Sequence, residues 1–412
     1  MITTASGARV PATMLPEEAA DVLWQTVVVG GGPAGAAVAI RLAREGQRVL
    51  LVDRQSMPRS KVCGCCLSST ALAELCALGF SPQENGRIAG EVPLTRVRVV
   101  AAAHEVTLPM PWSGTLSREA LDSQLVQVAR AAGARWLPWI DVTGVEEHPG
   151  AKPRVTLACR QQHGEARGAG VLLQAETVVL ATGLSDHVRV PGGTPRAIDR
   201  GSRIGVGTTL SPESVDLPVG ELLMAVGRGG YCGIVLLEDQ RVDVAAAVDR
   251  QALAAAGGVA EAVAAILQEA AGGAAWGNRL GEILSRATFQ ATPPLTRSAA
   301  VVVGASGSIL RVGDAAGYVE PFTGEGMGWA LAGGRLVADA LLTQSSPAEA
   351  YRRSHAAFAR RHHRRCRRIA AALRHPRLVA SAIRFAAAAP WMVRPLVPLL
   401  VGSRLGPGTP VA

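Results

Sequence analysis

Residues 27–54 read VVVGGGPAGAAVAIRLAREGQRVLLVDR, and this stretch restricts the possible folds more than any other part of the chain. A β-branched run ends in glycines with the spacing G-x-G-x-x-G, a helix-like segment follows, and a second apolar run ends on Asp53. Continuous apolar runs of this length are typical of buried parallel strands. The stretch therefore predicts a strand–turn–helix–strand unit.

Each residue type in this unit has a mechanical role. Gly30 permits a tight turn, Gly32 lets the backbone approach a pyrophosphate at the helix start, and Gly35 lets the helix pack on the strand. Asp53 lies 18 residues past Gly35, where a carboxylate can accept hydrogen bonds from a ribose. Because no second fingerprint of this kind follows, one dinucleotide is expected. Its predicted contacts are Gly30, Gly32, Pro33, Ala34, Gly35, Asp53 and Arg54.

A second motif lies at residues 308–341, SILRVGDAAGYVEPFTGEGMGWALAGGRLVADAL. It reads as a short strand, a Gly/Pro-rich loop and a long helix of small residues. It resembles the second cofactor motif of flavoprotein monooxygenases and geranylgeranyl-reductase-like flavoproteins. In those families the aspartate binds the ribityl or pyrophosphate part of FAD, and the loop and helix start lie against the isoalloxazine ring. The resemblance implies FAD contacts at Gly313, Asp314, Pro321, Gly324, Gly326 and Met327.

Three shorter segments are similar to the same families. SREALDSQL resembles their R-x-x-x-D-x-x-L helix, which makes Arg118 a candidate FAD contact, and DVTGVE resembles a strand whose backbone meets the adenine around Val142. In VVLATGLSDHVR, Thr182 replaces the acid of their A-D-G segment, which helps aromatic hydroxylases to handle FAD and NAD(P)H. This departure argues against a direct NADPH site.

The segment RSKVCGCCLSSTAL resembles the K-x-C-G stretch of the geranylgeranyl reductase subfamily. There the stretch lies beside the flavin, and its cysteine is implicated in the redox half-reaction. The resemblance implies cofactor contacts at Arg59 and Lys61 and catalytic positions at Cys63 and Gly64. Alternatively, Cys63 is a small buried hydrophobe, and Arg59 and Lys61 are a solvated pair.

These motifs predict an α/β fold. A glutathione-reductase-type, FAD-binding Rossmann domain would be interrupted by an inserted β-sheet substrate domain and followed by a helical C-terminus. The expected divisions are a flexible N-terminus at 1–24, the FAD-binding domain at 25–90, 115–200 and 296–345, the substrate domain at 91–114 and 201–295, and a basic helical region at 346–412.

On the substrate side, GYCGIVLLEDQRVDVAAAVD predicts two strands joined at EDQ. Prenyl reductases carry Y-x-W-x-F-P here. This chain keeps Tyr231, a candidate catalytic residue or a half-buried strand aromatic, but has Gly233, Val235 and Leu236 at the other positions. The pattern looks more like the flavoprotein hydroxylases associated with type III polyketide synthases, and the W-x-W-x-I-P signature of flavin-dependent halogenases is missing.

The leading functional hypothesis is therefore an FAD-dependent monooxygenase that hydroxylates a lipophilic, polyketide-phenol-like aromatic through a flavin C4a-hydroperoxide. NAD(P)H would be the reductant, used directly or through a separate flavin reductase. The first alternative is an FAD-dependent C=C reductase of prenyl or other lipophilic substrates, with Cys63 or Tyr231 giving a proton. The second is a surface-associated flavoprotein without this catalysis.

Charge is distributed unevenly. Residues 350–412 contain 13 Arg and no acid, whereas the rest of the chain has 29 basic against 33 acidic residues. The composition of segment 351–402 favours contact with an anionic membrane surface. Alternatively, this segment forms a helical pair that folds back on the FAD domain. Prolines interrupt its apolar end, so no run of about 18 residues could span a bilayer.

The remaining composition excludes several classes of site and partner. No recognition motif supports nucleic-acid binding. The seven Cys lack zinc spacing and the histidines are scattered, so no metal is expected. With no secretory signal in the first 24 residues, a cytoplasmic location, at most at the inner face of the membrane, is predicted.

Overall fold

The structure is a computed structural model that describes residues 8–80, 88–148, 154–161, 170–215, 217–320, 322 and 324–393. Its strands are β1 (Leu23–Val29), β2 (Val49–Asp53), β3 (Cys66–Leu67), β4 (Val92–Ala101), β5 (His104–Thr115), β6 (Arg135–Pro138), β7 (Ile140–His148), β8 (Arg154–Gln161), β9 (Gly170–Leu180), β10 (Ala197–Ile198), β11 (Ile204–Leu210), β12 (Glu221–Gly227), β13 (Gly230–Leu236), β14 (Val242–Val248), β15 (Gln290–Pro294), β16 (Arg297–Ser298), β17 (Val302–Val303), β18 (Ile309–Arg311) and β19 (Gly317–Tyr318).

The α-helices are α1 (Pro16–Ala20), α2 (Pro33–Arg44), α3 (Ser69–Ala77), α4 (Arg118–Ala131), α5 (Arg250–Ala256), α6 (Val259–Ala271), α7 (Ala275–Ser285), α8 (Gly326–Thr343), α9 (Pro347–Ala372), α10 (Pro376–Ala388) and α11 (Pro390–Val393). Short 3-10 turns occupy Pro212–Ser214 and Gly313–Ala316.

The first large sheet has the strand order β17-β18-β9-β1-β2-β6, and β7 and β8 extend it from β9 as an antiparallel ribbon. Its central strands are parallel, with Val28 of β1 opposite Leu51 of β2 and Val179 of β9. Both faces are covered, by α2, α4 and α8 on one side and by the β7–β8 ribbon on the other. Burial on both faces explains why these strands are apolar throughout.

The second large sheet has the order β15-β11-β14-β13-β12-β4-β5-β3 and is mostly antiparallel. Strands β4 and β5 come from residues 92–115, well before β11–β15 in the chain, and join those strands through the parallel pair β4–β12. One face packs on α6 and α7. The opposite face packs on α10 and turns toward the first sheet, so the two sheets enclose a space between them.

The N-terminal segment differs from the sequence-based expectation. Residues 8–24 were predicted to be flexible, but Val10 is 3% exposed and its N–H donates to the Met57 carbonyl at 2.9 Å. The indole N–H of Trp24 donates to the Ala19 carbonyl at the end of α1 at 3.0 Å. The expectation was wrong here because the segment covers apolar surface of the first sheet. Residues 1–7 lie outside the described part of the chain.

The last described helices pack on both large sheets. Tyr351 of α9 is fully buried, and its hydroxyl donates to the Arg311 carbonyl of β18 at 2.7 Å. Helix α10 buries Ile383 and Ala386 against the second sheet. Within the described residues no individual helix combines the length and hydropathy needed to cross a bilayer, and the bent pair α5–α6 reaches that threshold by length and composition alone.

Candidate active site

A cavity of about 540 Å³ lies between the carboxyl edge of the parallel strands and the second sheet. Gly35 lies outside it, and Pro321 falls outside the described residues. The cavity brings together the other predicted site residues, namely Gly30, Gly32, Pro33, Ala34, Asp53, Arg54, Arg59, Lys61, Cys63, Gly64, Arg118, Val142, Tyr231, Gly313, Asp314, Gly324, Gly326 and Met327.

The two glycine-containing motifs touch each other at the start of α2. A Cβ built on Gly313 would lie 2.9 Å from the Ala34 Cβ, and one built on Gly35 would lie 1.9 Å from the Gly30 carbonyl oxygen. On Gly32 the same atom would find nothing nearer than the Arg59 guanidinium at 3.5 Å. Gly35 is thus required by packing, whereas a Cβ on Gly32 would make only ordinary contact with the Arg59 and Arg118 guanidinium groups. The amino end of α2 beside Gly32 has no side-chain cap and is a suitable cradle for phosphates.

Asp53 fixes this turn from the end of β2. It is 4% exposed and accepts a hydrogen bond from the Gly31 N–H at 2.8 Å and another from the Gln55 N–H at 3.0 Å. Arg59 donates to the same carboxylate at 3.1 Å and also lies 3.6 Å from Asp122. Because a carboxylate offers about four acceptor positions, Asp53 can hold the turn and still accept from a ligand hydroxyl.

Arg118 begins α4 and is held by a partner one helical turn away. Its guanidinium makes two parallel contacts with Asp122, at 2.9 and 2.7 Å, and both side chains are buried. Burial lowers the pKa of Arg118, but the charges of Asp122 and Cys63 outweigh it and raise that pKa above its ordinary value. Sequence reasoning did not assign Asp122 a role, although its i, i+4 spacing from Arg118 is a visible signal.

Lys61 and Asp314 place opposite charges on the cavity wall. Burial lowers the pKa of Lys61, and the positive charges of Arg118 and Arg59 lower it further. Burial raises the pKa of Asp314, against the effect of Lys61 and Arg118. The structure gives Lys61 no hydrogen bond or ion pair within the described ranges. Both side chains line the cavity, and a polar cofactor with hydroxyl and phosphate groups would fit between them.

Cys63 belongs to a cluster of three acidic groups. A hydrogen bond with the Cys65 side chain lowers the pKa of the Cys63 thiol to about 6, although burial opposes this, and Arg118 lowers it further. The same contact, with burial, raises the pKa of Cys65. Burial and the charge of Cys63 raise the pKa of the Asp243 carboxyl of β14, against the effect of Cys65. The sequence patterns gave Asp243 no role. The available signal was a single acidic residue within the otherwise apolar β14.

The part of the cavity next to Cys63 and Cys65 is lipophilic. The Tyr231 ring meets the Phe322 ring edge-on at 5.1 Å between centroids, and the Arg203 guanidinium lies 5.4 Å from the Tyr231 centroid. Burial, and next Glu320, raise the pKa of Tyr231, so its hydroxyl stays protonated. A Cβ on Gly233 would lie 3.1 Å from the Met224 sulfur, so a larger residue there would displace Met224.

His187, to which the sequence patterns gave no role, lines the cavity at the end that contains Val142. His187 Nε2 lies 3.0 Å from the Asp141 carboxylate, and its Nδ1 lies 2.6 Å from the Ser185 hydroxyl. Burial lowers the pKa of His187 against the effect of Asp141. The described residues contain no group of three or more His, Cys, Asp or Glu arranged to hold a metal ion.

This cavity, with a glycine turn at a helix start and a second motif beside it, defines an FAD-binding oxidoreductase. Residues 25–275 match the family model described as FAD dependent oxidoreductase. The chain is 30% identical over 331 residues to the menaquinone reductase of Mycolicibacterium smegmatis, across 76% of this chain and 75% of that protein. It therefore belongs to the FAD dependent oxidoreductase family and is an enzyme.

Solved structures share this fold. The flavin-dependent brominase Bmp2 matches with a TM-score of 0.72 at 17% identity, covering 92% of this chain and 94% of the other. A geranylgeranyl bacteriochlorophyll reductase-like protein from Thermoplasma acidophilum matches with a TM-score of 0.66 at 17% identity, covering 93% of each chain. The predicted α/β FAD-binding fold is thereby confirmed. The finer resemblance to polyketide-associated hydroxylases stays a prediction.

Proposed function

We propose that this protein uses FAD to reduce a C=C bond of a lipophilic, prenyl-bearing substrate. The observation that carries the proposal is the pair of thiols Cys63 and Cys65, which line the cavity and pack with Met224 and Tyr231, because reduction needs a proton there in addition to a hydride. The similarity to a menaquinone reductase over three quarters of each chain supports the same reaction class. The sequence motifs alone favour hydroxylation, with C=C reduction as the first alternative.

FAD fits the charged half of the cavity. The amino end of α2 and Gly32 would hold the pyrophosphate, Asp53 the ribose, and Asp314 the ribityl or pyrophosphate part. When bound and reduced, FAD supplies a hydride to one carbon of the double bond. NAD(P)H, acting directly or through a separate flavin reductase, is the proposed source of those electrons.

The chain itself would supply the proton to the second carbon. Cys63 and Cys65 both line the cavity; with a pKa of about 6, Cys63 rests mainly as the thiolate at neutral pH, whereas the raised pKa of Cys65 keeps that thiol protonated. The proton would pass from Cys65 through Cys63 to the second carbon, and solvent would restore it afterwards. The product gains two hydrogens, one from the hydride and one from this path. Met224, Tyr231 and Phe322 would exclude water from the lipophilic end.

The reaction class is tested with FAD-loaded protein, chemical reductant and menaquinone, with and without air. We expect a product that, after re-oxidation of its ring to the quinone, is still two hydrogens heavier than menaquinone and that forms equally well without oxygen. Cys63→Ala should lower the rate by about 10²- to 10⁴-fold, the usual contribution of a general acid. Cys159→Ala, which alters a buried thiol of β8 outside the cavity, is the matched control and should leave the rate unchanged.

Hydroxylation of a lipophilic aromatic is the second candidate. It is favoured by Gly233 and Val235, which stand where prenyl reductases carry large aromatic side chains. A product that is one oxygen heavier and forms only in air would establish this candidate and rule out the reductase. Anaerobic loss of flavin absorbance on adding NADPH alone would separately show that no partner reductase is needed.

A further inference from the structure

Helix α10 carries large apolar side chains on its outer face among the polar residues that a surface helix normally has there. Its inner side packs Ile383 and Ala386 against the second sheet. Its outer side presents Leu378 and Phe385, which are seven residues apart and 63% and 53% exposed. Packing within the described residues accounts for the inner side chains but not for these two.

The exposed apolar surface continues into α11. Trp391 is 71% exposed and Met392 46% exposed. Half of the eight large hydrophobic side chains found exposed in the described residues thus fall within residues 378–392. Single exposed hydrophobic residues are ordinary, but a concentration of this kind marks an interaction surface. We call Leu378, Phe385, Trp391 and Met392 the apolar patch.

Arginines accompany the apolar patch. Arg377 and Arg384 are both exposed and stand next to Leu378 and Phe385 along α10. On the preceding helix, α9, five further arginines share one face, which we call the arginine face: Arg360, Arg361, Arg364, Arg365 and Arg368.

The arginine face carries a repulsion that the fold does not cancel. Its members follow one another at three- and four-residue spacings, where like charges destabilise a helix. Glu325, 3.5 Å from Arg365, is the acid paired with this face in the described part of the chain. An external anionic partner would relieve the repulsion.

An anionic lipid bilayer matches both features. A nucleic acid offers phosphates but no apolar interior for Leu378 and Phe385. A second copy of the chain offers apolar surface but brings like charges together. A bilayer surface takes apolar side chains to the depth of its headgroups while acidic lipids attract arginine. We propose that the apolar patch and the arginine face form a docking surface for an anionic bilayer. The observations that carry this inference are independent of the proposed reaction.

Co-sedimentation of the full-length, FAD-loaded protein with vesicles tests the proposal. We expect strong binding to phosphatidylcholine vesicles that contain phosphatidylglycerol and weak binding to phosphatidylcholine alone. Phe385→Ser should weaken binding about tenfold, as expected when a large side chain no longer leaves water. Arg377→Gln and Arg384→Gln should each weaken it about fivefold. Leu172→Ser, at a 62% exposed site on β9, is the matched control and should bind like the parent.

Tryptophan fluorescence gives an independent readout. Trp391 should move to a less polar environment on anionic vesicles, so its emission should shift to shorter wavelength, and Trp391→Phe should abolish the shift. Equal binding by the parent and Phe385→Ser would overturn the proposal, provided that both retain FAD. The proposal would also be overturned if the protein dimerised without lipid and Phe385→Ser abolished the dimer. Preferential binding to RNA over the vesicles would overturn it as well.

Discussion

Three effects determine the protonation of the Cys63 thiol. The hydrogen bond with Cys65 lowers its pKa most, burial opposes that change, and Arg118 lowers the pKa further. The result is a pKa of about 6, against an ordinary value of 9.0. Most of the Cys63 population is therefore a thiolate at neutral pH, whereas the raised pKa of Cys65 keeps that thiol protonated.

The rate at which iodoacetamide alkylates Cys63 should follow this pKa. Because the thiolate is the nucleophile, the rate should rise through pH 6 and level off above it. In Cys65→Ala the hydrogen bond is lost, so the rise should move toward the ordinary thiol range. Peptide mass spectrometry of the alkylated site measures this against Cys76, an exposed thiol. A profile that Cys65→Ala leaves unchanged would contradict the assigned cause.

At the scale of elements, the β1–α2 turn separates two roles that the fingerprint combines. Gly35 is packed against the Gly30 carbonyl, and any side chain there collides with backbone. Gly32 has ordinary backbone angles and space for a Cβ beside Arg59. One glycine therefore serves the fold, and the other keeps room for a ligand.

Two alanine substitutions in this turn should consequently behave differently. Gly35→Ala should destabilise the FAD-free protein by about 1–3 kcal/mol or more, the usual cost of overpacking. Gly32→Ala should leave the urea midpoint of the FAD-free protein nearly unchanged but greatly weaken FAD binding, followed by flavin fluorescence. If Gly32→Ala bound FAD like the parent, the pyrophosphate would not lie against this turn.

Local patterns predicted the elements well, and non-local contacts explain what they missed. The glycine turn, α4 and the second motif each appear within a short stretch, so their residues could be assigned from spacing. The contact between Asp243 and Cys65 joins residues far apart in the chain and depends on how β14 meets the segment before β3. Residues 8–24 likewise take a defined position only because the first sheet supplies apolar surface for them to pack on.

At the scale of the whole molecule, a buried ion pair beside the cavity joins the second sheet to the segment that follows β19. Arg203, fully buried before β11, lies 2.9 Å from Glu320 after β19 and 3.3 Å from Asp249. Glu320 is 3% exposed, and burial raises its pKa, although Arg203 opposes this most strongly among its neighbours. The pair fixes the second sheet relative to the segment after β19.

Arg203→Ala should destabilise the protein by about 3–5 kcal/mol at neutral pH, because it leaves the Glu320 carboxylate buried without its partner. The pKa of Glu320 is already raised in the folded state, and loss of Arg203 should raise it further. The loss should therefore shrink as the pH falls toward that pKa and the carboxyl becomes neutral. Urea unfolding at neutral and mildly acidic pH measures both effects, with Arg286→Ala as an exposed control. A loss independent of pH would exclude the buried carboxylate as its cause.

The order of strands in the first sheet affects how the protein is made. Strand β18 pairs with β9, which pairs with β1, and about 280 residues separate Gly30 from Gly313. A ribosome must therefore translate about 280 codons beyond Gly30 before the two halves of the cofactor cradle can meet. Loading with the prosthetic group becomes a late event in biogenesis, and a nonsense codon before position 309 would leave a polypeptide with the first fingerprint but no means of retaining flavin.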